Sequence, residues 1–349
     1  MGVKAKRMAG PVVIYRKEDL SDLIQARPGE KKLGEVMAFL QRGEGLEALP
    51  HYSARGVRFV LLGIPESIGP MANYGKCCTE FGWKVFLDAF LNMQSNRFLR
   101  GESILCLGHV DTKDLSVAAS SLSLTDSEPI KKLRNLCSRL DEIVWPILHS
   151  IGHAGLVPVV IGGGHNNAFP ILKGLKGSPQ YGQGIQAINC DPHADFRPLE
   201  GRHSGNAFSY AYKDGCLKRY FIFGLHENYN SEKIVTEIEE NPDLDYSSFD
   251  TESDLSGHIQ RAAAFLCKVD LPVGIEVDMD SIIDMPSSAM TPSGFRVEEV
   301  RRFVITVASK FKPAYLHLAE GAPVLGTADE IRVGKALAYL ALDFVKFAR

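Results

Sequence analysis

The chain has 349 residues, 45% of them hydrophobic, enough to bury a large core in one big α/β domain or two smaller ones. Its formal net charge of -3 leaves no electrostatic footprint for nucleic acid, and no uncharged apolar run is long enough to span a membrane. Seven cysteines, none in a CxxC pair and several in apolar runs (Cys106, Cys190, Cys267), fit buried thiols in a reducing compartment rather than a disulfide framework.

Residues 1–11 include basic side chains but no apolar stretch of signal-peptide length, so a cytoplasmic location is expected. Residues 12–45 show the spacing of one or two amphipathic helices, as in Leu33, Val36, Met37 and Leu40, with no visible chemistry. Residues 1–57 therefore read as an N-terminal extension and 58–349 as one domain, since no linker or internal repeat divides them. From Arg58 a short apolar run, a Gly- or Asp-marked loop and a longer helical pattern alternate. Strands are expected at 59–64, 103–107, 156–161, 184–190, 220–223, 244–248, 272–277 and 314–318. Helical patterns run over 80–91, 128–151, 253–267, 297–309 and 329–347. The alternation predicts an α/β fold in three layers, with helices on both faces of a mostly parallel, about eight-stranded sheet.

Ligands of open α/β sheets gather beyond the carboxyl ends of the strands, and here those ends hold unusual residues. The first strand leads to Gly63-Ile64-Pro65-Glu66-Ser67-Ile68-Gly69, with Asn73-Tyr74-Gly75 close behind, which reads as a substrate-facing loop. The adjacent Cys77-Cys78 reads as a helix start. After the third comes Gly162-Gly163-Gly164-His165; without GxGxxG spacing or a following GK[ST], nucleotide binding is discounted. After the fourth comes Asp191-Pro192-His193-Ala194-Asp195. An extended chain would point all three polar side chains one way, whereas Pro192 argues for a loop. Such a group either holds a cation, shares protons or merely caps turns. Asp278 and Asp280 follow the seventh strand, and Glu320 the eighth, so the acids converge.

Taken together, GGGH, DPHAD, VDMD and LAEGAP occur in the order of the motifs of the ureohydrolases, the arginase, agmatinase and formiminoglutamase superfamily, which the chain resembles from about Phe59 onward. The resemblance implies an arginase-like fold and two Mn²⁺ ions per subunit. Asp191 and Asp278 would bridge them, His165 and Asp195 would complete one coordination sphere, and His193 and Asp280 the other. Four carboxylates with two imidazoles and no thiolate favour a hard octahedral ion such as Mn²⁺ over structural zinc. Two such ions, about 4 Å apart, lower the pKa of a shared water, which supplies a hydroxide nucleophile. Asp195 would also orient that nucleophile, and Glu320 would pair with the cationic amidine nitrogen of the substrate. A homo-oligomer is also implied.

Departures from arginase point to the subfamily. The position of an arginase histidine, the proton shuttle, is Phe208, and the place of an arginase asparagine is Arg197. Arg197 suits a substrate carboxylate, with Arg202, His203, Asn206 and Asn73 as further substrate contacts. GGGH in place of GGDH, the missing third Asp after the Asp-x-Asp and Phe208 resemble formiminoglutamases, so the expected reaction is hydrolysis of N-formimino-L-glutamate to L-glutamate and formamide, in histidine degradation. The rivals are another amidinohydrolase, acting on a guanidino acid, agmatine or arginine and releasing urea, and a catalytically silent binding module of the same fold. A zinc deacetylase is set aside because the chain has no His-His pair. His203, His226 and His317 read as structural histidines.

Overall fold

The short apolar runs become strands buried on both faces, which is why they read as continuous hydrophobic stretches rather than as alternating ones. A computed structural model describes residues 11–122, 127–252 and 254–348. Within them nine strands form one sheet: β1 (Val12–Ile14), β2 (Phe59–Gly63), β3 (Ile104–Val110), β4 (Val157–Ile161), β5 (Ile185–Cys190), β6 (Leu217–Leu225), β7 (Leu244–Ser248), β8 (Val273–Asp278) and β9 (Pro313–Ala319). Their order is β1-β3-β2-β4-β9-β8-β5-β6-β7, and every pairing is parallel except that of β1 with β3.

Side chains alternate between two cores. Val60 and Leu62 of β2 face the layer containing the helices Ser127–His153 and Ala168–Leu175. Phe59 and Leu61 face the layer of Gly82–Phe90, Val297–Lys310 and Ala328–Phe347. The three-layer expectation therefore holds, with one strand more than expected.

That extra strand lies in the N-terminal extension. Val12–Ile14 pairs with Val110–Gly108, so part of residues 1–57 is built into the sheet edge, while residues 1–10 lie outside the described residues. The amphipathic helices expected over residues 12–45 shrink to a 3-10 segment, Lys17–Leu23, and one short turn of helix, Leu33–Val36. The competing interaction is sheet pairing: Ala38 donates its N–H to the Ile104 carbonyl, pulling the chain out of helical geometry just after Val36. The helix expected from residue 253 runs over Leu255–Leu266, capped by the Asp254 carboxylate on the Gly257 N–H; Ser253 itself lies outside the described residues.

Five adjacent strands, β2, β4, β9, β8 and β5, position the site. Ile161, Leu318, Val277 and Cys190 stand in register across the last four. One residue further on, Asp278 completes β8 beside Asp191, which follows β5. Register alone thus brings two acids from distant parts of the chain to neighbouring places at the carboxyl edge of the sheet.

Candidate metal centre

Around the His165 imidazole the acids close in. Its Nδ1 lies 3.2 Å from Asp191 Oδ2, 3.1 Å from Asp195 Oδ2 and 3.1 Å from Asp278 Oδ2. One ring nitrogen carries at most one proton, so it cannot satisfy three carboxylate oxygens from three residues. Four donor atoms lying within 4.8 Å of one another in a buried pocket fit a divalent cation, which relieves their mutual repulsion. His193 and Asp280 sit next to them: His193 Nδ1 is 3.3 Å from Asp191 Oδ1 and 4.0 Å from Asp280 Oδ2. The donor set, all oxygen and imidazole nitrogen, suits a hard ion such as Mn²⁺.

Local backbone chemistry aims these groups. The Asp191 carboxylate accepts the His193 N–H (2.7 Å) and an Asn189 amide N–H (2.9 Å), and that of Asp278 accepts the Asp280 N–H (2.7 Å). Asp195 and Glu320 hold left-handed conformations, φ 47° and 66°, which cost a non-glycine residue about 1–3 kcal/mol and are maintained only where the surroundings demand them. At Gly163, φ is 72°, and a Cβ would meet the Ile64 carbonyl oxygen at 2.6 Å. This glycine therefore lets the loop carrying His165 lie against the end of β2.

Two anchors of these loops escaped the sequence reading. Glu66, fully buried, accepts N–H groups of Ile68, Gly69 and Gly164 and the amide of Asn167, tying the loop after β2 to the loop after β4. Asn230 accepts the Ala194 N–H and donates to the Pro192 carbonyl, which holds the Asp191–Asp195 loop. Glu66 had a faint signal, a lone acid directly after an apolar strand. Asn230 had none. Pro192 indeed stands in a loop, its ring placed just after the sheet ends.

Crowding sets the proton affinities. Burial, then Asp191, raises Asp195 above the usual carboxylate range, and burial, then Asp280 and Asp191, raises Asp278 well above it. Burial likewise raises Asp280. Against its burial, Asp191 is held low by His165 and His193. The His165 imidazole is raised well above its usual value because the surrounding carboxylates outweigh burial. Glu320 is pushed up to about 8 by burial, with Asp280 adding to it. Its Oε1 accepts the His165 backbone N–H at 2.7 Å, while its buried Oε2 has no hydrogen-bond partner among the described residues, and no described arginine or lysine pairs with it.

A cavity of about 480 Å³ opens above this cluster; Asp195, Asp278, Asp280 and Glu320 form part of its wall. Of the expected substrate contacts, Asn73 and Arg197 also line it. They flank Gly205, where a Cβ would come within 2.8 Å of Asn73 Nδ2 and 3.3 Å of Arg197 Nε. The Arg197 guanidinium has no hydrogen-bond or ion-pair partner among the described residues. The other three, Arg202, His203 and Asn206, do not line it. Arg202 is buried beneath the cavity, its Nε 2.8 Å from Asp141 Oδ2, with further bonds to the Asn206 side chain and the Asn166 carbonyl. Asn206 accepts from Arg202 and donates to the Gly201 carbonyl, and buried His203 contacts Glu200 at 3.2 Å. All three are turned inward because the segment's polar groups must be satisfied once buried. Phe208 lies edge-on to His165 and stacks on Tyr220, ring centroids 4.2 Å apart, so no proton carrier stands at that position.

A three-layer α/β sheet with acids and imidazoles at adjacent strand ends defines the class, and the chain belongs to the arginase family, whose model matches residues 57–343. Among curated relatives, the formimidoylglutamase of Streptococcus gordonii is 26% identical over 207 residues, 57% of this chain and 55% of that protein. That of Streptococcus pyogenes serotype M3 is 27% identical over 210 residues, so the chain spans about half the length of the curated relatives it matches. Among solved structures, formimidoylglutamase from Bacillus subtilis superposes with a TM-score of 0.72 at 17% identity, covering 92% of this chain and 93% of that one. A Trypanosoma cruzi formiminoglutamase with Mn²⁺ gives 0.67 at 17% identity over 90% of this chain and 99% of that one, and these likenesses bear on fold alone. No helix among the described residues is long and apolar enough to cross a membrane.

Proposed function

We propose that this protein hydrolyses N-formimino-L-glutamate with water to L-glutamate and formamide, using two Mn²⁺ ions held by His165, Asp191, His193, Asp195, Asp278 and Asp280. The observation that carries the metal part is the convergence of three carboxylate oxygens on one imidazole nitrogen. When bound, the ions lower the pKa of a shared water so that hydroxide forms near neutral pH.

The chain's own groups account for the rest. Asp195, at the cavity wall, accepts a hydrogen bond from the attacking water and holds its lone pair toward the substrate carbon. The unpaired Glu320 Oε2 accepts an N–H of the cationic formimino group, fixing the carbon over the nucleophile. Arg197, without a side-chain partner among the described residues and exposed at the cavity, pairs with a substrate carboxylate, and Asn73 donates beside it. Cleavage breaks the bond between the formimino carbon and the glutamate nitrogen. The water's oxygen stays on the carbon as formamide, and its protons pass to the departing amine. The formimidoylglutamase names of the curated relatives support the substrate choice.

The test is turnover by protein stripped with a chelator and reloaded with Mn²⁺, with formamide and urea assayed from a panel of formimino and guanidino compounds. Manganese-dependent formamide without urea is the expected result. Urea would reassign the protein to guanidino hydrolysis, and tight metal binding without turnover would make it a binding module.

A further inference from the structure

Behind His165, away from the cavity, lies a buried acid–imidazole pair that the proposed chemistry does not use. Glu276 and His317 are both fully buried and stand side by side in register on β8 and β9. Glu276 lies two residues before Asp278, so both side chains leave the same face of β8. The opposite face carries Val273, Ile275 and Val277 into an apolar core.

Glu276 is surrounded by donors. Its Oε1 accepts the Tyr315 hydroxyl at 2.7 Å, its Oε2 lies 2.6 Å from His317 Nδ1, and the same Oε2 is 3.3 Å from His165 Nε2. The last contact has the distance of an ion pair but not the angle of a good hydrogen bond. Tyr315 reaches Glu276 because Gly274 leaves room for its ring; a Cβ there would meet Tyr315 Cε1 at 2.3 Å. A carboxylate with two fixed donors cannot rotate, so it presents a steady acceptor to the back of the His165 ring.

We infer that Glu276, held by His317, is a positioning residue that keeps the His165 proton on Nε2 and turns Nδ1 toward the carboxylate cluster as a metal ligand. An imidazole that ligates through one nitrogen is oriented by what its other nitrogen donates to, and losing such a partner costs about 10–100-fold in metal affinity. The inference rests on the metal reading above. It assigns Glu276 and His317 no contact with substrate.

The test is a Mn²⁺ titration of the full chain, followed by the electron paramagnetic resonance signal of free Mn²⁺, for the parent protein and for Glu276→Gln, His317→Gln and Tyr315→Phe. Glu276→Gln is expected to weaken one of two ions by about 10–100-fold and leave the other unchanged. His317→Gln should weaken the same ion less and keeps the question answerable if Glu276→Gln does not fold. Tyr315→Phe removes one of the two donors that fix Glu276 without touching His165, and should weaken the same ion less than Glu276→Gln does. Two ions bound at parental affinity by Glu276→Gln, or equal losses in Glu276→Gln and Tyr315→Phe, would overturn the inference. A parent protein that binds no Mn²⁺ would instead overturn the metal reading on which it rests.

Discussion

Two nearby arginines make opposite predictions. Arg202→Met keeps an apolar stem between Phe169 and Tyr210, whose rings the guanidinium carbon approaches to 4.9 Å each, but deletes the charge. It removes the bonds to both Asp141 oxygens (2.8 and 3.3 Å), to Asn206 Oδ1 (2.8 Å) and to the Asn166 carbonyl (2.7 Å). Removing one partner of a buried ion pair costs roughly 3–5 kcal/mol. The loss has a pH signature. Burial pushes Asp141 up to about 6 even with Arg202 beside it, and higher without it. A carboxyl with a raised folded pKa binds a proton where the unfolded chain has released it, so its contribution to stability falls as pH rises from about 4 through the folded value. The cost of Arg202→Met is therefore larger at pH 8 than at pH 5. Arg197→Met, with no side-chain partner to lose among the described residues, should change stability by no more than about 0.5 kcal/mol. It should raise KM for an acidic substrate about tenfold to a hundredfold, the worth of one charge-assisted hydrogen bond. Urea denaturation at both pH values, together with steady-state kinetics, measures all of this. An Arg202→Met protein as stable as the parent, or equally destabilised at pH 5 and 8, would refute the reasoning.

Two further outcomes are expected. Glu320→Gln should retain Mn²⁺ stoichiometry yet lose about a hundredfold or more in kcat, because its carboxylate aligns substrate; a change in metal content would place Glu320 among the ligands instead. Chelation should lower the urea midpoint, since each ion present at a hundred times its Kd contributes about 2.7 kcal/mol. An unchanged midpoint at pH 7 would mean that the cluster holds no ion in solution.

Wherever local chemistry suffices, the chain's own order of residues already decides the outcome. Eight of the strands and the α/β class follow from apolar runs whose length and flanking loops admit little else, and the motif-bearing acids stand just past those runs, at the strand ends. Locality fails at the extension, where Leu33, Val36, Met37 and Leu40 have helical spacing yet Ala38 bridges Leu105 of β3, its N–H on the Ile104 carbonyl. It fails again between Arg197 and Arg202. Both are arginines in one loop, and only the packing of the helix carrying Asp141 against that loop decides that one faces the cavity while the other is neutralised beneath it. Glu276 and His317 are the same case. Their residue types are plain in the sequence, but it takes the register of β8 with β9 to set them side by side behind His165, because a parallel pairing joins residues that no sequence spacing connects.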